Sequence, residues 1–319
     1  MKKEISILGI ILLIAAILRF YNLMHDSPYF FNPDERNMAN AISQFRLPAK
    51  LSEIPACIIS QLIPNLQPRP RDDRPLAETI NCNLNPHFFS YGQFPLYLAF
   101  ASNQIASSII NNVNPGLTRD PRGFRLGGRN DKNTIHNEIL TTSFSSSIFW
   151  LRFYSALSST LVVLLVFLIS RKLFAFHFSL FAAAAAAFTP GLIQSAHFGT
   201  TESLLTFFFF SSIYISISHL SSLGNLSNLK FIILNSIIIG LALGSKLTGI
   251  FFFVPPFTAL MIQIFRILKK QKKNRFFVIL LHCFIVSLLI IGSITIFLLS
   301  SPYNLVEPDS FKSAVFGYE

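Results

Sequence analysis

The chain has 319 residues, of which 51% are hydrophobic and only 13% are charged, and its mean hydropathy is +0.52. A soluble protein of this length would form about two domains, but a chain this apolar has lipid as the solvent for most of its surface. Its continuous Ile, Leu and Phe runs do not alternate in polarity, which excludes a transmembrane barrel and predicts an all-α polytopic membrane protein.

The net charge of +11 would suit a nucleic-acid ligand, so the position of the charges has to be considered. Eleven basic residues and one acid fall at the N-terminus and in short segments between the predicted spans, the last at residues 266–275. The long segment 25–147 is nearly neutral, with eleven basic and ten acidic residues. Because basic residues concentrate in cytoplasmic loops, orientation explains the excess, and no nucleic-acid partner is expected.

The predicted elements form one transmembrane domain over residues 1–319, with a cytoplasmic N-terminus and a long non-cytoplasmic loop over residues 25–147. The first apolar stretch lacks the small residues of a cleavage site and is interpreted as a retained span. The least certain boundary is at Ser245 and Lys246, where an outer turn fits the charges and a single span over 232–253 is the alternative. Seven spans are expected, at residues 5–23, 149–170, 174–193, 203–220, 231–244, 247–265 and 276–299.

The long loop carries two candidate interfacial helices. Apolar residues at helical spacing over residues 36–45 predict an amphipathic helix on the membrane surface. Residues 94–110 are apolar but contain Ser, Asn and Gln, and we expect an interfacial or re-entrant segment because a crossing here would invert the later charge pattern. Cys57 and Cys82 share this loop, and a disulfide and two free thiols both remain open.

Unusual polar residues collect at one predicted surface of the membrane. Ionisable side chains at the edges of membrane helices are costly and indicate a functional site, although snorkelling is an equal alternative for a single arginine near the end of a span. The residues placed at this surface are Asp34, Glu35, His197, Glu202, Lys246, Arg19, Arg152 and Tyr303.

Five motifs, in order along the chain, resemble one class of membrane enzyme. The first, NPDER at residues 32–36, resembles the acidic motif in the first outer loop of GT-C glycosyltransferases, the class that contains protein O-mannosyltransferases. The other four are similar to the bacterial and archaeal branch of the protein-mannosyltransferase-like family: NPHFFSYG at 85–92 with FPLY at 94–97, LRFYSAL at 151–157, SAHFGTTE at 195–202 and GLALGSKLT at 240–248. Members are usually longer, so the resemblance implies a GT-C-like helix bundle matching their N-terminal membrane portion.

This resemblance implies transfer of a sugar from a polyprenyl-phosphate carrier to a hydroxyl of a protein, lipid or glycan, at the outer face of the cell membrane. Asp34 is then the expected base, and Glu35 is expected to orient the acceptor or a metal. Lys246 is the first candidate for the cation that stabilises the leaving phosphate, followed by Arg152 and Arg36.

His87, Tyr91, His197 and Glu202 are expected to bind the substrate. Asp34 with His197 and Glu202 could instead hold a divalent ion, for which oxygen ligands suit Mg²⁺ or Mn²⁺ and two histidines would admit Zn²⁺. Structural, hydrogen-bonded histidines are the alternative, and no tightly bound cofactor is expected.

Two other functions fit a membrane protein of this composition. A transporter or flippase would place polar residues near the midplane of several spans, whereas the span interiors here are Ile, Leu, Phe and an alanine run at 182–187. A non-catalytic subunit of a membrane complex is the other alternative. The chain has no phosphate-binding glycine loop, so a lipid-linked donor is expected rather than a sugar nucleotide.

Overall fold

The computed structural model describes residues 2–48, 51–62, 82–113, 143–221, 225–270 and 275–317, and the loop residues 63–81 and 114–142 lie outside these ranges. Within them the regular structure is helical, apart from one bridge between Arg46 and Asn83. The α-helices are α1 (Lys2–Phe20), α2 (Pro33–Ser43), α3 (Ile54–Leu62), α4 (Phe94–Val113), α5 (Phe144–Leu173), α6 (Phe176–Phe188), α7 (Pro190–Ala196), α8 (Glu202–Leu220), α9 (Asn225–Leu243), α10 (Val254–Lys270), α11 (Arg275–Ser300), α12 (Tyr303–Val306) and α13 (Pro308–Phe316), with 3₁₀ helices at Leu51–Glu53 and Leu247–Phe253.

The all-α polytopic membrane fold is confirmed. Among the described residues, α5, α8, α11 and the stretch Leu247–Lys269 are each long and apolar enough to cross a bilayer. Helices α6 and α7 are bent by 52° and together would make a fifth span, while Ser6–Phe20 and Leu229–Leu243 are shorter apolar helices. Each of the seven expected spans coincides with one of these segments, and the number of crossings stays a prediction.

The chain turns at Ser245 and Lys246. Helix α9 ends at Leu243 and the next helical segment begins at Leu247. Lys246 has an extended backbone, with φ −162° and ψ 141°. The structure therefore has a break where the alternative interpretation required one continuous helix.

Helix α2 buries its apolar face inside the protein. Met38, Ile42 and Phe45 are fully buried and pack against residues of α4 and α5, including Leu96 and Leu151. The amphipathic pattern was expected to face lipid, but α4 supplies a protein surface for it. At 20 residues, α4 is also longer than the segment expected from the sequence.

Small residues bring α9 and α11 close together. A Cβ added at Gly240 would overlap Ile296, and one added at Gly292 would overlap Ser236. The Ser236 hydroxyl donates to the carbonyl of Leu289 at 3.2 Å. Close backbone approach through Gly and Ser is typical of membrane helix pairs, and here it fixes the end of α9 from which Lys246 projects.

Arg19 closes the break between α6 and α7. Pro190 has no N–H, so the carbonyl of Ala186 loses its usual helical donor. The fully buried Arg19 donates to the carbonyls of Ala186 and Ala187 at 3.1 and 3.0 Å and to the Ser159 hydroxyl at 2.8 Å. Arg19 therefore has a structural role in joining α1 to α5 and α6.

Candidate active site

The polar residues singled out by the sequence lie at one end of the helical bundle. The carbonyl of Leu23, just after α1, accepts from Arg152 Nη1 at 2.6 Å. The carbonyl of Gly244, just after α9, accepts from the Phe94 N–H at 2.9 Å and from the Ser301 hydroxyl at 3.1 Å. The ends of α1, α9 and α11 thus meet the starts of α4 and α5.

A buried ion-pair network forms the first part of this site. Arg152 donates from Nε and Nη2 to the two carboxylate oxygens of Glu35, at 2.6 and 2.7 Å. Its Nη1 lies 2.8 Å from Asp26 Oδ1. The side chains of Arg152 and Glu35 are completely inaccessible to solvent. This two-pronged geometry is among the strongest that a guanidinium and a carboxylate can form.

The start of α2 explains how Glu35 reaches that position. Asn32 caps the helix by accepting the Glu35 N–H at 3.1 Å, and Pro33 occupies the first turn. Both residue types are favoured there. Asp34 and Glu35 share the positive N-terminal end of the helix dipole, but Asp34 is exposed while Glu35 points inward.

Gly199 completes the carboxylate pocket. Its N–H donates to Glu35 Oε1 at 2.8 Å. A Cβ at this position would lie 2.8 Å from the same oxygen and 2.5 Å from the Leu151 Cβ. Only glycine lets the turn between α7 and α8 approach Glu35 this closely.

Asp26 is held ionised by its surroundings. Burial alone would raise the pKa of Asp26, but its contacts with Arg152 and with the Phe31 N–H, together with the charge of Arg152, outweigh this effect. The pKa therefore lies below its ordinary value of 3.8.

Lys246 anchors the second part of the site. Its Nζ lies 3.4 Å from Glu202 Oε1 and 5.2 Å from the centroid of the Tyr91 ring. The Lys246 and Glu202 side chains are 34% and 49% exposed, so this pair is open to solvent. Gly92 lets its segment of the chain pack directly against the segment after α9, because a Cβ at residue 92 would collide with the Gly244 carbonyl.

A cavity of about 340 Å³ surrounds Lys246. One part of its wall is the segment 89–92, which includes Tyr91, and another part is formed by Asn304 of α12 and Phe311 of α13. Two further contacts hold these parts together, since Gln93 Nε2 donates to Asn304 Oδ1 at 3.0 Å and the Gln93 N–H donates to the Ser301 hydroxyl at 3.0 Å. The cavity offers an ammonium, an aromatic ring and an amide to a ligand.

One turn joins the two parts of the site. Gly199 touches Glu35, and Glu202 touches Lys246. Three residues of extended chain span at most about 11 Å, so the carboxylate pocket and the lysine cavity adjoin each other.

The two histidines are engaged in separate contacts. His197 makes hydrogen bonds to the carbonyls of Ile193 and Tyr21, at 2.8 and 3.2 Å. His87, which has a positive φ of 47°, lies 3.5 Å from a Glu307 carboxylate oxygen. His197 is thus hydrogen-bonded as the structural alternative describes, whereas His87 is mostly exposed next to the segment 89–92.

The described residues do not support the possible metal site at Asp34, His197 and Glu202. Among the described residues, no group of three or more His, Cys, Asp and Glu side chains is placed to hold a metal ion. His197 is bonded to backbone carbonyls and Glu202 to Lys246, so neither joins Asp34 in a ligand set.

Three of the residues expected to act on the substrate differ in their accessibility to solvent. Glu35 and Arg152 are completely buried against each other, so a direct contact of either with substrate is not what the structure shows. Arg36 is exposed on α2, next to Glu35 in sequence and outside the buried network.

Sequence reasoning missed Asp26, the Gly199 N–H, Asn304 and Glu307. Asp26 follows the first span more closely than Asp34 does, and this position was a usable signal. Asn304 and Glu307 are polar residues just after the last apolar run, where the sequence pattern singled out only Tyr303. No sequence pattern indicates that the Gly199 N–H donates to Glu35.

A sequence profile described as dolichyl-phosphate-mannose-protein mannosyltransferase matches residues 119–301, which is more than half of the chain. This range includes Arg152, Glu202 and Lys246, whereas Asp34 and Glu35 precede it. No curated protein matches the chain significantly. The members of this family are glycosyltransferases that use a lipid-linked sugar donor. The profile match shows that the chain belongs to the dolichyl-phosphate-mannose-protein mannosyltransferase family.

Proposed function

We propose that this protein transfers a hexose, mannose in the first instance, from a polyprenyl-phosphate carrier to a hydroxyl acceptor. The single observation that carries this proposal is the contrast between two neighbours on α2. Glu35 is locked by Arg152 and Gly199, while Asp34 beside it is exposed at the same end of the bundle as the Lys246 cavity.

Asp34 is the proposed base. The acceptor hydroxyl attacks the anomeric carbon, its proton passes to the Asp34 carboxylate, and the bond from that carbon to the phosphate oxygen breaks. A base in hydrogen-bond reach of such a hydroxyl contributes about 10²- to 10⁴-fold in rate. Glu35 and Arg152 act as positioning residues, because their ion pair fixes the first turn of α2 and with it the backbone of Asp34.

Lys246 is the proposed partner of the leaving phosphate. Its ammonium borders a cavity with room for a polar head group, and its present partner Glu202 is half-exposed and exchangeable. Positive charge placed where negative charge develops stabilises the transition state. Tyr91 and Asn304, which line the same cavity, and His87, which precedes the lining segment 89–92 in sequence, are the proposed contacts of the sugar.

The orientation and setting belong to the same proposal. Basic residues at Arg171–Lys172, Arg266 and Arg275 lie at the opposite end of the spans from Lys246, which supports an outer-face site and a cytoplasmic N-terminus in the cell membrane. The order of the five motifs supports the bacterial and archaeal branch of the family. The acceptor class we favour is a protein hydroxyl, as the family description indicates.

The decisive experiment follows label from polyprenyl-phosphate mannose into acceptor, using membranes that contain the wild-type chain or Asp34→Asn. We expect transfer by the wild type and a loss of about 100-fold or more in the variant. The matched control is Asp309→Asn, because Asp309 is also an exposed acid that follows a proline in the first turn of a helix, α13.

Equal transfer by wild type and Asp34→Asn would remove Asp34 from the base role. If the folded wild-type protein transfers no label from polyprenyl-phosphate mannose or from other polyprenyl-phosphate hexoses, the non-catalytic subunit becomes the better interpretation. Loss of transfer in Asp309→Asn as well would mean that the assay reports a general effect of charge at this surface.

A further inference from the structure

The contact between Lys246 and Glu202 is weak and exchangeable. Both side chains are substantially exposed, and the 3.4 Å separation of Nζ and Oε1 is long for a charge-assisted hydrogen bond. Solvent-exposed ion pairs of this kind contribute little to stability. An anionic ligand in the cavity can therefore take the ammonium of Lys246 away from Glu202.

Breaking the contact with Lys246 costs Glu202 little free energy. It is the first residue of α8, where the N-terminal end of the helix dipole favours a carboxylate. Nearly half of its side chain is open to water, which solvates the released charge. Glu202 thus stays beside the cavity as a standing competitor for Lys246.

We propose that Glu202 acts in product release by taking Lys246 back from the lipid phosphate after sugar transfer. This inference rests on the proposed function. The donor is a phosphodiester with a single negative charge. Once the anomeric carbon has bonded to the acceptor oxygen and the acceptor proton has moved to Asp34, the carrier leaves as a phosphate monoester, whose charge approaches −2, about −1.5 to −2 at neutral pH.

The extra charge on the product makes Glu202 selective between the two lipids. Its carboxylate, within 3.4 Å of the Lys246 ammonium, repels the monoester more strongly than the diester. The Tyr91 ring, 5.2 Å from the same ammonium, carries no charge and makes no such distinction. Glu202 therefore favours departure of the spent carrier over loss of the incoming donor.

The test compares the KM for polyprenyl-phosphate mannose with the inhibition constant of free polyprenyl phosphate in wild type and Glu202→Gln. We expect the inhibition constant to fall about twofold to fivefold and the KM to change less, as suits removal of one exposed charge. Glu202→Asp, which keeps the charge, is expected to stay nearer the wild type. Asp309→Asn, which removes an exposed acid of α13 that is not among the residues lining the Lys246 cavity, is the matched control and is expected to leave both constants unchanged.

Direct binding of polyprenyl phosphate to the purified protein, with Lys246→Met as a third variant, separates two kinds of failure. If Lys246→Met binds as tightly as wild type, the role of Lys246 in the proposed function is wrong. If Lys246→Met binds weakly but Glu202→Gln leaves the ratio of KM to inhibition constant unchanged or lowers it, the release role of Glu202 is overturned and the proposed function stands.

Discussion

Asp34 and Glu35 are adjacent carboxylates with opposite surroundings. Successive residues on a helix point about 100° apart, so Glu35 faces Arg152 while Asp34 is exposed at the surface. Glu35 receives three hydrogen bonds, two from Arg152 and one from the Gly199 N–H, and each of its oxygens is satisfied. Because Glu35 is fully paired, the proposed function assigns the role of base to the exposed Asp34.

The pH dependence of stability is expected to report on Asp26. Its pKa is lower in the folded protein than the ordinary value of 3.8, so the ionised carboxylate stabilises the fold above that pH, and this contribution disappears as the pH falls through the folded pKa. The Tm difference between wild type and Asp26→Asn in detergent should be largest near about pH 7 and shrink towards about pH 3. A difference that stays constant over this range would contradict the assignment.

The sequence predicted which residues lie at the site, but it could not predict which of them contact each other. The sequence placed Asp34, Glu202 and Lys246 at one membrane surface through the positions of the spans. The contact between Glu35 and Arg152 joins residues 117 positions apart, and no local pattern encodes such a pair. Burial of Arg152 depends on Asp26 and Leu23, which lie in an irregular segment where sequence periodicity carries no information.

Among the elements, the bent pair α6 and α7 shows how one buried charge can be structural. The alanine run of α6 allows close packing against α1 and α5, where Ala15 and Val163 are fully buried. Pro190 then frees carbonyls at the end of α6, and Arg19 supplies the donors. The sequence indicated a single span over residues 174–193, and the bend within it follows from a proline whose partner lies in another helix.

Replacing Arg19 with Met should destabilise this part of the bundle. The change leaves the carbonyls of Ala186 and Ala187 buried without the arginine donor, and each unsatisfied group costs about 1–3 kcal/mol. Thermal unfolding in detergent should show a clearly lower Tm than in the matched variant Arg171→Met, whose arginine is exposed at the end of α5. Equal Tm values for the two variants would show that water or lipid satisfies these carbonyls.

Helices α2 and α9 show what the sequence pattern could predict and what it could not. The apolar spacing over residues 36–45 predicted a helix, and α2 spans Pro33–Ser43. The charge pattern favoured a turn at Lys246, and α9 ends at Leu243. Periodicity identifies an apolar face without saying what covers it, so the packing of α2 on α4 could not be derived.

At the scale of the whole molecule, the long loop and the C-terminal segment hold each other. Cys57 and Cys82 form a disulfide, which the sequence left open. Next to it, Gln61 donates to the Cys82 carbonyl at 3.0 Å and accepts from the Tyr303 hydroxyl. Burial, with the nearby charge of Glu307, raises the pKa of Tyr303, so this phenol stays protonated and remains a donor.

The disulfide provides a test of orientation. In intact cells carrying a Cys283→Ser variant, a membrane-impermeant maleimide should label the chain only after treatment with an impermeant reductant, because the proposed topology puts Cys57 and Cys82 outside. The Cys57→Ser/Cys82→Ser variant of the same chain should stay unlabelled throughout. Labelling that appears only after the membrane is permeabilised would invert the topology.

The turn from His197 to Glu202 is bonded to α2 on one side and to Lys246 on the other. In the proposed mechanism this short turn sets the distance between the acceptor beside Asp34 and the leaving phosphate beside Lys246, because the Gly199 N–H is bonded to Glu35 at one end of the turn and Glu202 lies beside Lys246 at the other. A substitution that shifts the turn should leave each substrate bound normally and misalign the two, so that affinity survives while turnover falls.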